Sequence, residues 1–322
     1  MRMALSVLLV LLLVPGWSGD PRLDLLGSRE RIVAVPVSLD PARPGRRRVG
    51  RLTWLGGVAL SSPDPAFGGF SSLHVSGHRI TLLSDGGNVV ALSWLPGRGI
   101  VGSRFGNLPA GPGTGWQKAD RDSESMAVGP DGTTWVGFEN ANAIWRYAPG
   151  FLRAEGRVRP AAMRRWPANG GAETMVWLAD GRFLLIGEVS PRRGDPWREG
   201  LVFAGDPLVR PLAFHFRFRP PADFDPSDAA ALPDGSLLVL VRRFRLPYRF
   251  DARLLLVPAG AIRPGAAVTG TPIADFTPPV IHDNLEGVAV TREGRDTIVW
   301  LCSDDNQSVL QRSLLLKFRL GS

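Results

Sequence analysis

The chain has 322 residues, 44% of them hydrophobic and 21% charged, which excludes a disordered or collagen-like polymer and suffices to bury a sizeable core. Its formal net charge is +8, yet Lys118 and Lys317 are the only lysines and arginine is scattered in ones and twos, Arg46-Arg47-Arg48 being the longest run. With no aromatic-interleaved basic stripe or nucleic-acid reader motif, this charge argues against DNA or RNA and for attraction to anionic small molecules or surfaces.

The chain opens on a signal-peptide pattern. Arg2 is a positive flank, Ala4 to Val14 is an apolar run of eleven residues, and Gly16-Trp17-Ser18 offers small residues for cleavage. Residues 1–18 are read as a secretory signal peptide and 19–322 as one mature domain. The apolar run falls short of the roughly twenty residues of a spanning helix. No later stretch is long and apolar enough to span a bilayer, so no transmembrane segment is expected after cleavage.

Two β-rich runs follow, around Ile32–Val37 and Arg51–Leu60. Then a pattern repeats: a short apolar run, a tight turn, and a second apolar run ending in a polar residue. The first copy, Gly69 to Asp85, turns at Ser76-Gly77. The second runs from Glu124 to Glu139 through Pro130-Asp131-Gly132, and the third from Glu173 to Glu188 through Ala179-Asp180-Gly181. The fourth runs from Asp228 to Arg242 through Pro233-Asp234-Gly235, and the fifth from Glu286 to Asp304 through Glu293-Gly294. Each copy is a β-hairpin signal.

The copies start at 69, 124, 173, 228 and 286, about fifty residues apart. That leaves room in each unit for two outer strands, drawn from runs such as Ile144–Tyr147, Leu201–Phe203, Leu254–Val257 and Leu314–Leu320. Four strands in about fifty residues define a β-propeller blade. The expected fold is all-β, with four-stranded antiparallel sheets around a central channel and no long helix. Six blades are favoured and five are allowed, the sixth being closed by the N-terminal strands joining strands from the C-terminal end.

In a propeller the innermost hairpin has its turn at one face and both open ends at the other. Glu124, Glu139, Glu173, Glu188, Asp228, Arg242, Glu286 and Asp304 are therefore expected at one channel mouth. Converging carboxylates raise one another's pKa unless a positive group sits among them. A hard cation held by oxygen ligands, with Ca²⁺ the natural choice, or arginines such as Arg242 and Arg243 would serve. The plainer alternative is that each acid accepts backbone N–H bonds at a strand end.

The segments "FGGFSSLHVSGHRITLLSD", "DSESMAVGPDG", "NGGAETMVWLADGRFLLIGE", "DPSDAAALPDGSLLVLVRRF" and "HDNLEGVAV…SDDNQSVLQRSLLLKF" resemble, in this order, the phytase-like family, described by its esterase-like activity of phytase. The resemblance runs from about Gly50 to Phe318 and is most specific at Asp283-Asn284-Leu285-Glu286-Gly287 with Ser303-Asp304-Asp305-Asn306. It implies an exported bacterial propeller, periplasmic or secreted, that hydrolyses phosphate or carboxylic esters. Asp228, where many repeats carry Glu, and the arginine-rich loops depart from the commoner pattern.

Hydrolysis there would need a cation to neutralise developing charge and a carboxylate to take a proton from water. Glu124, Glu173 and Glu286 are the catalytic candidates, as metal ligands or water activators, with Asp228 joining them as a fourth ligand. Asp85, Glu139, Glu188 and Asp304 form a second layer, and Arg242 and Arg243 are the substrate-binding candidates. Which carboxylate is the base stays open.

Covalent routes are poorer, because there is no Gly-x-Ser-x-Gly elbow. Cys302, the only cysteine, reads as a buried small residue in a strand. His74 and His78 straddle a turn and read as a surface pair. The expected partner is a small-molecule ester or phosphate ester, and a monomer is expected. The alternative function is a non-catalytic propeller that binds a peptide, sugar or envelope component through its arginine-rich loops.

Overall fold

The computed structural model describes residues 22–27, 30–168, 170–247 and 249–321; the segment read as a signal peptide lies outside them. Three strands come first: β1 (Val33–Pro36), β2 (Arg48–Val49) and β3 (Leu52–Ser61). The first blade is β4 (Phe70–Ser76), β5 (Arg79–Ser84), β6 (Asn88–Leu95) and β7 (Gly99–Asn107). The second is β8 (Ser123–Val128), β9 (Thr134–Phe138), β10 (Ala143–Tyr147) and β11 (Ala154–Val158). The third is β12 (Thr174–Trp177), β13 (Phe183–Ile186), β14 (Arg198–Phe203) and β15 (Leu212–Arg219).

The fourth blade starts with β16 (Asp225–Ala231), β17 (Leu237–Arg245) and β18 (Arg249–Val257). The chain then detours through β19 (Ala267–Thr269), which pairs parallel to β15 at the edge of the third blade, before β20 (Thr271–Phe276) completes the fourth. Last come β21 (Asn284–Glu293), β22 (Asp296–Asp304) and β23 (Ser313–Leu320).

Each of the five repeated hairpins is the inner pair of one blade, and β4, β8, β12, β16 and β21 touch in a closed ring. The propeller therefore has five blades. No sixth forms, because β3 pairs with β23 and becomes the outer strand of the fifth blade, with β1 beyond it. The N-terminal strands do meet the C-terminal ones, as expected, but they complete the last visible hairpin. This joins the chain ends across Leu60 and Ser313 and closes the ring, each blade keeping one outer edge strand.

Alternating apolar residues on each blade pack against the neighbouring blade, and the five seams carry five hydrophobic clusters. The fourth and fifth blades meet through Leu240, Leu254, Phe276, Leu301 and Phe318, all fully enclosed. The tryptophans mostly serve as blade packing: Trp135 stacks on Trp177 with centroids 4.9 Å apart, and Trp94 meets Trp300 edge-on. Cys302 is buried as a small core residue. Among the described residues the only helices are three short 3-10 turns, and none is long and apolar enough to cross a membrane.

Candidate functional site

Strand register explains how the acids reach the mouth. The pairing of the two inner strands slips by one residue between Phe70 and Ser72, Ser123 and Ser125, Pro226 and Asp228, and Leu285 and Gly287. The extra residue at each slip is a β-bulge, which re-aims its side chain out of the regular alternation. These residues are Ser71, Glu124, Ser227 and Glu286, while in the third blade Glu173 stands just before β12 at the equivalent place.

Where the bulge residue is serine, it stitches blades together: Ser71 Oγ donates to the carbonyl of Ser123 at 2.7 Å, and Ser227 Oγ donates to that of Leu285 at 3.4 Å. Where it is glutamate, a carboxyl enters the channel mouth. The residues that close the hairpins fall on equivalent positions of all five blades: Asp85, Glu139, Glu188, Arg242 and Asp304.

Two groups of three carboxyls converge. Asp122, Glu124 and Glu139 offer oxygens within 4.8 Å of one another, and so do Glu139, Glu173 and Glu188. Glu139 belongs to both. Two full negative charges at that spacing repel by roughly 3 kcal/mol at the effective dielectric of a partly buried site, so the carboxyls cannot all ionise at ordinary pKa.

Burial pushes Glu124 well above its usual range, and Glu286, Asp122, Glu139 and Asp85 push it further. Glu173 is raised in the same way by burial and then by Glu124 and Glu188. Glu139 is pushed up to about 8, first by burial and then by Asp122 and Glu188. Burial also holds Asp304 well above the ordinary aspartate value, helped by Glu286 and Asp85.

Two cations stand among these acids. Arg242 Nη2 lies 3.4 Å from Oε1 of both Glu188 and Glu286, and Nη1 donates to Asn284 Oδ1 at 3.3 Å. Burial disfavours its charge, but Glu286, Glu188, Glu173 and Glu124 more than offset this and raise its pKa. The Arg242 Nε is buried and makes no hydrogen bond among the described residues. Lys118 Nζ pairs with Asp85 Oδ2 at 2.5 Å. Glu286 is further fixed by Asn284 Nδ2, which donates to its Oε1 at 2.7 Å; burial still raises its pKa against the pull of Arg242.

A model of the phytase-like family, described by the esterase-like activity of phytase, matches residues 65–307, all five hairpins included. The chain belongs to the phytase-like family. No curated protein matches it. Among solved structures, a catalytically inactive virginiamycin B lyase from Staphylococcus aureus with quinupristin is similar at 14% identity and TM-score 0.40, over 94% of this chain and 82% of that one. Myxococcus xanthus glutaminyl cyclase is similar at 10% identity and TM-score 0.43, over 94% and 99%. The major Malassezia sympodialis allergen Mala s 1 is similar at 12% identity and TM-score 0.44, over 94% and 96%. Likeness at this level carries nothing about chemistry.

Not every expected residue of this phytase-like chain lies at the mouth. Asp228 sits one residue past the bulge, so the equivalent of Glu124 and Glu286 is Ser227. Its Oδ1 accepts from the Ala229 amide and its Oδ2 from the Val288 amide, each at 2.8 Å, making it a buried strut between the fourth and fifth blades, outside both converging carboxyl groups. Arg243, expected beside Arg242, turns away from the mouth carboxyls. Successive strand residues face opposite ways, and Arg243 Nη2 donates to Asp251 at 3.0 Å while its guanidinium covers Phe224 at 4.5 Å.

Glu139 and Glu188, expected as a second layer, belong to the converging groups themselves. Asp122, Lys118 and Asn284 were missed as site residues. Asp122 stands just before β8, two residues ahead of Glu124, its signal being one more acid beside a candidate. Lys118 carried a weaker one, as one of two lysines in an arginine-rich chain.

Proposed function

We propose that this protein is an exported hydrolase of phosphate or carboxylic esters, assisted by Ca²⁺ at the acidic mouth. The observation that carries the reading is the pair of carboxyl groups of three sharing Glu139. A cation with Ca–O bonds of about 2.4 Å spans opposite oxygens about 4.8 Å apart, and Ca²⁺ takes oxygen ligands only, so the donor set fits. Asp122, Glu124 and Glu139, or Glu139, Glu173 and Glu188, would hold the ion. When bound, Ca²⁺ supplies electrostatic neutralisation of an ester oxygen and of the ligating carboxylates.

The remaining residues divide the work. Glu286 has Oε1 fixed by Asn284 and Arg242, which leaves Oε2 to accept a proton from attacking water. Arg242, its guanidinium held among Glu188, Glu286 and Asn284, provides positive charge for an anionic oxygen of the substrate. Asp85 and Lys118 hold each other at the rim, and the buried Asp304 carboxyl stands beside Glu286.

The test is hydrolysis of a chromogenic phosphomonoester and a chromogenic carboxylic ester by the mature protein, with Ca²⁺ and after chelation. Calcium-dependent turnover of one, lost in Glu286→Gln, supports the reading and names the ester class. No turnover of either, with no effect of calcium on melting, overturns it.

A further inference from the structure

The seam between the first and second blades is only partly filled. On the first blade's other side, paired residues run Leu73–Leu82–Val90–Phe105 and Val75–Ile80–Leu92 across the strands, and these pack into the fifth blade. The side facing the second blade has the cross-strand row His74–Thr81–Ala91–Arg104 instead. Only Leu83, Val89 and Leu108, at the mouth end, join the buried cluster of this seam from the first blade.

The result is a wedge of about 580 Å³, opening away from the acidic mouth. Its second-blade wall is apolar, from Met126 and Val128 to Phe151 and Leu152. Protein interiors are packed to crystal-like density, so a half-built seam forgoes contacts that the other four seams make. The volume lies in the range of small-molecule sites.

Charge sets the chemistry of the occupant. Arg79 and Arg104 both line the wedge, and among the described residues neither makes an ion pair. Glu30, beside β7, accepts from the Phe105 amide at 3.4 Å. His74 lines the inner end, where burial lowers its pKa and favours the neutral ring. An apolar trough with two guanidinium groups at its side fits an amphiphile with one anionic head.

We propose that the wedge between the first and second blades is a binding site for a small anionic amphiphile, its carboxylate or phosphate head held by Arg79 and Arg104 and its chain laid along Met126, Val128 and Phe151. The proposal is independent of any reaction at the mouth.

Calorimetric titration of the whole protein with decanoate, decyl phosphate and decanol tests it. At least one anion binds, about tenfold or more tightly than decanol, and the tighter of the two names the head group. Arg104→Ala weakens that anion by about tenfold or more. Ala91→Leu fills the trough, abolishes binding and raises the melting temperature. If Ala91→Leu fails to fold, the surface double variant Arg79→Ala/Arg104→Ala decides. Binding of neither anion, equal binding of decanol, or binding unchanged in these variants overturns the proposal.

Discussion

Lys118 Nζ stands 2.5 Å from Asp85 Oδ2, at the edge of a mouth that otherwise gathers carboxyls. Burial works against the Lys118 charge, but Asp85 overcomes this, with Asp122 and Glu124 adding to it, and its pKa is raised. The lysine thus offsets part of the charge that a bound cation would offset. Lys118→Met should lower the melting temperature of chelated protein by a few degrees and enlarge the rise on adding Ca²⁺. Melting curves with chelator and with calcium check this; an unchanged calcium increment would show that Lys118 and the ion do not compete.

The acids also fix the sign of the pH dependence. Glu139 titrates at about 8 in the folded chain, against an ordinary value of 4.5. Between those values the folded state binds more protons than the unfolded state, so stability falls as pH rises from about 4.5 to about 8. Glu124 and Glu173, raised by burial and by their acidic neighbours, act in the same direction. Chelated protein should therefore melt at progressively lower temperature from pH 5 to pH 8. Saturating Ca²⁺ should remove most of that slope, because the ion stabilises the ionised carboxylates that protons otherwise neutralise.

Two isosteric variants separate binding from proton transfer. Glu139 lies in both converging groups, so Glu139→Gln should abolish the calcium-induced rise in melting temperature along with turnover. In chelated protein at pH 8 the same variant should melt higher than the parent, since it removes a repelling charge. Glu286→Gln should keep most of the calcium response while turnover falls by about a hundredfold or more, the usual scale for losing a general base. Loss of the calcium response in Glu286→Gln would make Glu286 a ligand instead.

Repetition made much of this legible in the sequence. An acid recurring at the same place in hairpin after hairpin could be placed at one face from strand geometry alone, and Glu124, Glu173, Glu286 and all five closing residues lie there. Blade number was less accessible, because closure pairs β3 with β23, residues more than two hundred and fifty apart in the chain, and no local pattern encodes that. Asp228 was misplaced for a different reason. The bulge at Ser227 shifts the register by one residue, and a one-residue shift changes which side chain enters the mouth. Lys118 belongs to the connection into the second blade, where no other repeat offers a matching residue, and the position of Asp122 is filled by Gly69, Gly171, Asp225 and Asn284 in the other repeats, too varied to mark a site.

Arg242 and Arg243 are neighbours in sequence with separate jobs, and the last prediction tests the division. The Asp251 carboxyl is fully enclosed and held by Arg243, Arg245 and Arg249 at 2.9 to 3.1 Å. Burial opposes its ionisation, but the hydrogen bonds from Arg249 and Arg243 prevail and its pKa is lowered. Asp251→Asn would leave three guanidinium groups around a neutral amide and should destabilise the protein by roughly 2 kcal/mol, less than breaking a fully buried pair because the arginines reach water. A depressed carboxyl contributes stability above its unfolded pKa and loses it as pH falls through the folded value, so the deficit of the variant should shrink toward pH 3. Denaturant melts at pH 7 and pH 3 measure both effects. Turnover per folded molecule should stay near that of the parent in Asp251→Asn and in Arg243→Ala, whereas Arg242→Ala should lose it, since Arg242 alone of the two stands among the mouth carboxyls.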